Sequence, residues 1–285
     1  MSTSRDLAAR LRAAATSALG PDGQECRIVS LAAVQRIAQQ TGVSRREVEV
    51  AALREHVLPA RYGRSLGTVG WEGQIKLLES TVAVVGAVGL GGWIIEGLAR
   101  MGVGRLIVID GDVFVENNLN RQAMCTEETL GRAKAEVAAE RVAAVNAAVE
   151  VTVHARLATA ENMPPLLQGA QVVVDALDSL PTRLLLQDAC RALCVPLVHG
   201  AIAGYLGQVT TIFPGDAGLR ALYGDVLPEQ GIERQLGNPA GTPLMVAAWQ
   251  VQETIKLLLG SGEPLRSRLL LLDAEAGTAE IVKLG

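Results

Sequence analysis

Val82-Ala83-Val84-Val85-Gly86-Ala87-Val88-Gly89-Leu90-Gly91 runs an unbroken apolar segment into a glycine-rich turn. A helix-like segment follows, and then Leu106-Ile107-Val108-Ile109-Asp110. Short apolar runs bounded by glycine suit strands buried on both faces. Two such strands joined by a helix make a right-handed βαβ unit. Gly86, Gly89 and Gly91 lie where the helix opens, so free backbone N–H groups and the helix dipole favour phosphate oxygens there. Asp110 stands 24 residues after Gly86, about where such units read a ribose hydroxyl. The glycine spacing alone is a weak signal. It is sharpened by Asn118, Arg121 and Lys134, all suited to phosphate or ribose contacts.

Outward from this unit, Asp110-Gly111-Asp112 opens a polar loop running through Asn117, Asn118, Asn120, Arg121 and Gln122. A loop so rich in donors, at the carboxyl end of a parallel strand, sits where open α/β sheets bind ligands; its plain alternative is a turn held by asparagine side chains. The alanine-rich segment Gly131 to Ala144 reads as a helix with Lys134 in its first turn, against the helix dipole. That placement makes a phosphate role more attractive, beside the plain alternative of a solvated lysine. A strand over Gln171 to Asp175 ends in Asp175-Ala176-Leu177-Asp178-Ser179. Asp178 suits a hard cation such as Mg²⁺, or it caps the next helix, Pro181 to Cys194. Pro196–His199 and Gln208–Phe213 read as strands, with His199 packed at a strand end and without a catalytic role. Pro214 to Gly241 reads as a long loop, Thr242 to Leu259 as a helix with Pro243 in its first turn, and Arg268–Asp273 with Thr278–Lys283 as a closing hairpin.

The N-terminal part differs. Leu7, Leu11, Ala14 and Ala18 recur at helical spacing, and Gly20-Pro21-Asp22-Gly23 breaks that helix. Ser30 to Gln40 and Ser44 to His56 read as further helices, each opened by a serine cap. Their join resembles a helix-turn-helix, yet the segment through residue 60 carries eight Arg against six Asp or Glu. A docking or dimer-building role is favoured over DNA binding. The expected organisation is a helical domain over 1–58 and a Rossmann-like domain over 59–285. The latter is a mostly parallel α/β sheet with an antiparallel extension. Pro59 ends the preceding helix, and Ile75 to Glu79 forms a short helix before the first strand.

Composition narrows the class. The chain has 285 residues, 49% apolar and 20% charged, with net charge −4. That describes a globular protein without a broad nucleic-acid surface. No apolar run spans a bilayer, no signal peptide is evident, and cytoplasm is the expected location. Cys26, Cys125, Cys190 and Cys194 are dispersed and suggest no disulfide framework. Cys190 and Cys194 fall on an apolar helix and read as core or half-buried thiols.

With these residues placed, the chain resembles the E1-like activating enzymes of the MoeB/ThiF/HesA family from about Arg61 to its end. The resemblance rests on five pieces in family order: Arg61-Tyr62-x-Arg64; the glycine turn; Asp110-x-Asp112 with Asn118-Leu119-x-Arg121-Gln122; Lys134; and Asp175-x-x-Asp178. It implies ATP-dependent adenylation of the C-terminal glycine carboxylate of a small ubiquitin-like sulfur carrier ending in Gly-Gly. It further implies that Asp110 holds the ribose, that Asn118, Arg121 and Lys134 hold the ATP phosphates, and that Asp178 organises Mg²⁺. Arg64 would reach the ATP of the other subunit in a homodimer. Arg64, Arg121 and Asp178 are thus the expected catalytic residues.

The chain departs from the family in three ways. Val88 stands where the family commonly has a small residue. The cysteine pairs that bind zinc in many members are missing, as no cysteine follows Cys194, so no zinc is expected. The long loop also lacks a cysteine to take over the carrier, so the chemistry is expected to stop at the adenylate. Three other readings compete: a tRNA-modifying dehydratase of the same superfamily, a nicotinamide-dependent dehydrogenase, and an E1-like scaffold that binds nucleotide without turnover.

Overall fold

The computed structural model describes residues 2–20, 23, 25–224 and 233–284. At the N-terminus, α1 (Ser2–Ala14) buries Leu7 and Leu11, and β1 (Thr16–Leu19) pairs antiparallel with β2 (Glu25–Val29). The first helix therefore stops at Ala14, and Ala18, expected on it from spacing, lies on β1. Ala14 and Ala18 are weak apolar markers, and a following Thr-Ser pair competes with the helix by hydrogen-bonding locally.

Helix α2 (Leu31–Thr41) opens at Ser30, whose hydroxyl accepts the Ala33 N–H, and ends at Gly42 with φ 73°. Helix α3 (Arg45–Arg54) carries a reciprocal cap between Ser44 and Glu47. The serine caps are as expected. The chain then leaves α3 as β3 (Val57–Pro59), parallel to β2. The N-terminal helices thus carry a three-stranded sheet, order β1-β2-β3, that the helical periodicity does not disclose.

This module is docked on the rest by shared core. Val50 and Leu53 of α3 and Leu58 of β3 pack with Tyr62, Leu66, Ile75 and Leu78. The last three belong to α4 (Leu66–Glu79), which is longer than the expected Ile75–Glu79 and is broken at Gly70 (φ 71°, ψ 174°). Gly67, Gly70 and Gly73 lower the helix propensity of its first half, which hides it from a pattern reading. A buried polar junction completes the seam. The Tyr62 hydroxyl donates to Glu49 at 2.8 Å, and Asn146 donates to Tyr62 at 3.1 Å and to the Ala99 carbonyl at 3.0 Å. Arg61 lies 3.3 Å from Glu49.

The main domain follows as β4 (Thr81–Val85), α5 (Gly89–Met101), β5 (Arg105–Ile109), α6 (Lys134–Val145), β6 (Glu150–His154), α7 (Met163–Leu166), β7 (Val172–Asp175), α8 (Leu180–Ala192) and β8 (Leu197–Ala203). Then come β9 (Leu206–Ile212), α9 (Leu219–Tyr223), α10 (Glu233–Leu236), α11 (Gly241–Leu259), β10 (Arg268–Asp273) and β11 (Thr278–Lys283). The sheet order is β11-β10-β9-β8-β7-β4-β5-β6. Strands β6 to β8 along that order are parallel, and β8 through β11 are antiparallel. The Rossmann-like sheet with an antiparallel extension is thus present as expected.

Val82, Ala83, Val84 and Val85 of β4 are fully buried; each valine contributes roughly 1.5–3 kcal/mol of burial. One face of the sheet is covered by α5, α6 and α11 through residues such as Ile94, Val142 and Val246. The other is covered by α7 and α8 through Met163 and Leu186. Cys190 lies in that second core, its thiol pushed up to about 12 by burial. Cys194, expected to be core or half-buried, is exposed beyond the end of α8.

Several bounds shift: α6 begins at Lys134 instead of Gly131, α8 ends at Ala192 instead of Cys194, β9 spans Leu206–Ile212 instead of Gln208–Phe213, and β8 runs through Gly200 to Ala203 before turning. The expected long loop holds α9 and α10, with its residues 225–232 outside the described part. No helix among the described residues is long and apolar enough to cross a membrane.

Candidate active site

The chain passes from β4 to β5 and β6 on one side and returns to β7 and β8 on the other. The carboxyl ends of β4 and β7 therefore flank a topological switch point. A cleft of about 1830 Å³ opens there.

Its floor is the glycine turn. Gly86 has φ +98°, and a Cβ on it would lie 2.5 Å from the Ala176 carbonyl oxygen. A Cβ on Gly91 would lie 1.9 Å from the Gly86 oxygen. These two glycines are needed for the close packing of the turn itself, and neither lines the cleft. Gly89, the first residue of α5, does line it, and its nearest outside neighbour, Pro243 Cβ, would be 3.7 Å from an added Cβ. Val88 also lines the cleft.

Asp110 sits beneath this turn, 8% exposed. Its carboxylate accepts the Ala87 N–H at 2.6 Å and the Asp112 N–H at 2.8 Å. Burial raises its pKa, opposed by those two N–H groups and by Lys134. Asp110 is not among the residues lining the open cleft; Asp112, two positions on, is. Lys134 begins α6, 4% exposed, and its Nζ lies 3.0 Å from Asp112. The carboxylate answers the cost of a cation at a helix N-terminus.

Asn118 is buried and braces the loop by accepting the Val115 N–H and donating to Asn117. Arg121 is held at 2.7 Å by the Asn117 carbonyl and the Asn120 side chain. On the far side, Asp178 is exposed, lines the cleft and has no hydrogen bond or ion pair among the described residues. Arg121, Lys134 and Asp178, separated by up to 57 positions in the chain, line one cleft with Asn118 and Gly89. Arg64 does not join them: it is exposed, beyond the turn at Ala60–Tyr62, and outside this cleft.

Several further groups escape a reading of the sequence. Gln122 is 5% exposed and lines the cleft, and its Oε1 has no partner among the described residues. It stands in the Asn-Leu-x-Arg-Gln piece, which is the signal that flags it. Arg183 is buried on α8, donates to the Leu177 carbonyl and lies 3.5 Å from Asp175. Asp175 is fully buried and also receives the Leu177 N–H at 2.9 Å. The Leu177–Asp178 turn is therefore held from both sides. Burial would raise the Asp175 pKa, but Arg183 and then His199 bring it below the ordinary carboxylate value. His199, expected merely to pack, is bonded to Asp175 at 2.6 Å.

The donor set suits Mg²⁺ in one way only. Among the described residues no group of three or more His, Cys, Asp or Glu side chains gathers as a metal cage. Asp178, a carboxylate without a partner among the described residues on the cleft that Arg121 and Lys134 also line, fits an ion that takes its remaining ligands from water and substrate phosphates.

A glycine turn, a ribose-range carboxylate, two phosphate-suited cations and a free aspartate at a switch point define a nucleotide-binding α/β enzyme. Residues 62–285 match the model of the ThiF family, and the chain belongs to that family; it is an E1-like adenylyltransferase. It is 44% identical over 230 residues to the SAMP-activating enzyme E1 of Haloferax volcanii, covering 78% of this chain and 84% of that one. It is 39% identical over 224 residues to the sulfur carrier protein adenylyltransferase of Thermus thermophilus, covering 75% and 83%. Other relatives are longer: the maize adenylyltransferase and sulfurtransferase MOCS3-2 is 38% identical over 229 residues, 79% of this chain but 48% of that one. Among solved structures, PaaA shares the fold with TM-score 0.68 at 18% identity, over 95% of this chain and 99% of that one. The E. coli tRNA N6-threonylcarbamoyladenosine dehydratase TcdA, in complex with ATP, shares it with TM-score 0.61 at 25% identity, over 70% and 94%.

Proposed function

We propose that the chain adenylates the C-terminal glycine carboxylate of a small ubiquitin-like sulfur carrier, releasing pyrophosphate. The observation that carries this reading is the convergence of Arg121, Lys134 and Asp178 on one cleft beside the glycine turn. A carboxylate is a weak nucleophile toward a polyanion, so the task is to neutralise the triphosphate and align attack on its α-phosphorus. Lys134 and Arg121 supply the charge, and Asn118 and the turn at Gly89 supply neutral donors. Asp110, with a lone pair left on each oxygen, takes the ribose. Asp178 would hold Mg²⁺, which when bound neutralises phosphate charge. The carrier carboxylate attacks, the α–β phosphoanhydride bond breaks, and an acyl-adenylate forms without a general base.

Arg64, which does not line its own cleft, acts in this reading on the site of a second copy in a homodimer. With no cysteine after Cys194, the reaction ends at the adenylate and uses no zinc. The likeness to TcdA, at 25% identity, supports tRNA as a second class of substrate; net charge −4 weighs against it. ATP–pyrophosphate exchange separates the two. Exchange with a carrier ending in Gly-Gly, lost in Arg121→Ala and Asp178→Ala, is the expected result. Exchange only with tRNA would overturn it, and ATP binding without exchange would leave a non-catalytic scaffold.

A further inference from the structure

His199 is fully buried on β8 and bonded at both ring nitrogens. Nδ1 lies 2.6 Å from Asp175 Oδ2 and Nε2 lies 3.0 Å from the Tyr223 hydroxyl. The polarity of this chain is fixed from its carboxylate end: a carboxylate only accepts, so Nδ1 donates to Asp175. On a neutral ring Nε2 then accepts the Tyr223 proton, and the Tyr223 oxygen is left to accept from Gln208 Nε2. Burial, which lowers the His199 pKa, agrees with this neutral ring. One consequence reaches the surface of the cleft. With Nε2 committed to Tyr223, the Gln208 amide is turned one way, leaving Oε1 as an open acceptor without a hydrogen bond among the described residues. Gln208 and Tyr223 both line the cleft, on the side of the antiparallel strands.

We propose that Gln208 is a specificity-determining residue whose Oε1 accepts a backbone N–H from the carrier's terminal glycine pair, and that Asp175, His199 and Tyr223 are positioning residues that keep its amide turned to accept. This rests on the reading of the cleft as an adenylation site for a peptide carboxylate. A peptide tail has an N–H to offer at each residue, whereas a free carboxylic acid has none. The acceptor therefore selects for a chain end and rejects small acids that would otherwise reach the activated phosphate.

The test is ATP–pyrophosphate exchange with the full chain. The probe is a semisynthetic ubiquitin-like carrier ending in Gly-Gly, supplied native and with each terminal glycine replaced in turn by sarcosine, which lacks the N–H. One sarcosine form should raise the wild-type KM for carrier roughly tenfold, the scale of one well-placed hydrogen bond. Gln208→Ala should raise KM for the native carrier by a similar factor, leave KM for ATP in place, and no longer distinguish the two forms. His199→Asn and Tyr223→Phe should weaken the same discrimination, and neither should add to Gln208→Ala. Nitrogen NMR should find His199 neutral with its proton on Nδ1. Equal KM for all carrier forms in the wild type overturns the inference alone, without any variant. No exchange with the native carrier overturns the reading of the cleft, and the inference with it.

Discussion

Lys134 Nζ and Asp112 Oδ2 stand 3.0 Å apart on the cleft wall, the lysine side chain 4% exposed and the aspartate 55%. The cation is buried and its partner is wet, so a phosphate oxygen arriving from solvent can share or replace the carboxylate without exposing the lysine.

Lys134→Met, which keeps the aliphatic stem, should therefore reduce ATP–pyrophosphate exchange by about 10²–10³ while the protein remains folded. Asp112→Asn removes only the solvent-facing half and should change exchange less than about tenfold. Steady-state exchange and a circular dichroism melt on the same samples decide the matter; equal losses in the two variants would contradict it.

The glycine turn separates folding from binding. Gly91→Ala would set a Cβ 1.9 Å from the Gly86 oxygen and should cost about 3 kcal/mol or more, because backbone must move. Gly89→Ala meets nothing closer than 3.7 Å. It should melt within about 1 kcal/mol of wild type and lose roughly 1–2 kcal/mol of ATP binding. Calorimetric titration of ATP beside thermal melts would expose any reversal of that order.

His199 sets a pH dependence of stability. Burial holds its folded pKa below the ordinary 6.5, so on acidification the unfolded chain takes up protons first and stability rises with pH. Its contribution is complete above 6.5 and is lost as pH falls through the folded value. Asp175, also depressed, has the same sign below 3.8. Glu49, raised by burial, has the opposite sign: its contribution is present below 4.5 and is lost as pH rises. The melting-temperature gap between wild type and His199→Asn should therefore shrink from pH 7.5 to 5. A gap that stays constant would show that His199 is not the group responsible.

The sequence made the main sheet readable where burial on both faces leaves an apolar run. Strands β4, β5 and β7 are of that kind, and the hairpin of β10 and β11 is bounded as expected. It failed at short, half-exposed elements. Strands β1 and β2 alternate too weakly to announce a pairing, and the glycines of α4 mask its first half. Arg121, Lys134 and Asp178 each stand in a local motif, and the fold brings them to one cleft. Asp175, His199 and Tyr223 share no motif, since 24 residues separate each neighbouring pair and only folding joins them. Arg183 and Gln208 carry no local pattern at all.

The seam around Tyr62 bears on where this protein can be cut. The family match starts at residue 62, yet the cluster that buries Tyr62 draws Val50, Leu53 and Leu58 from before it, and Glu49 accepts the hydrogen bond from its hydroxyl. Shared ancestry and independent folding therefore have different borders here. A fragment begun at the first family residue would bare an oily face and strand a phenol, so the preceding helices travel with the enzyme as part of its foundation.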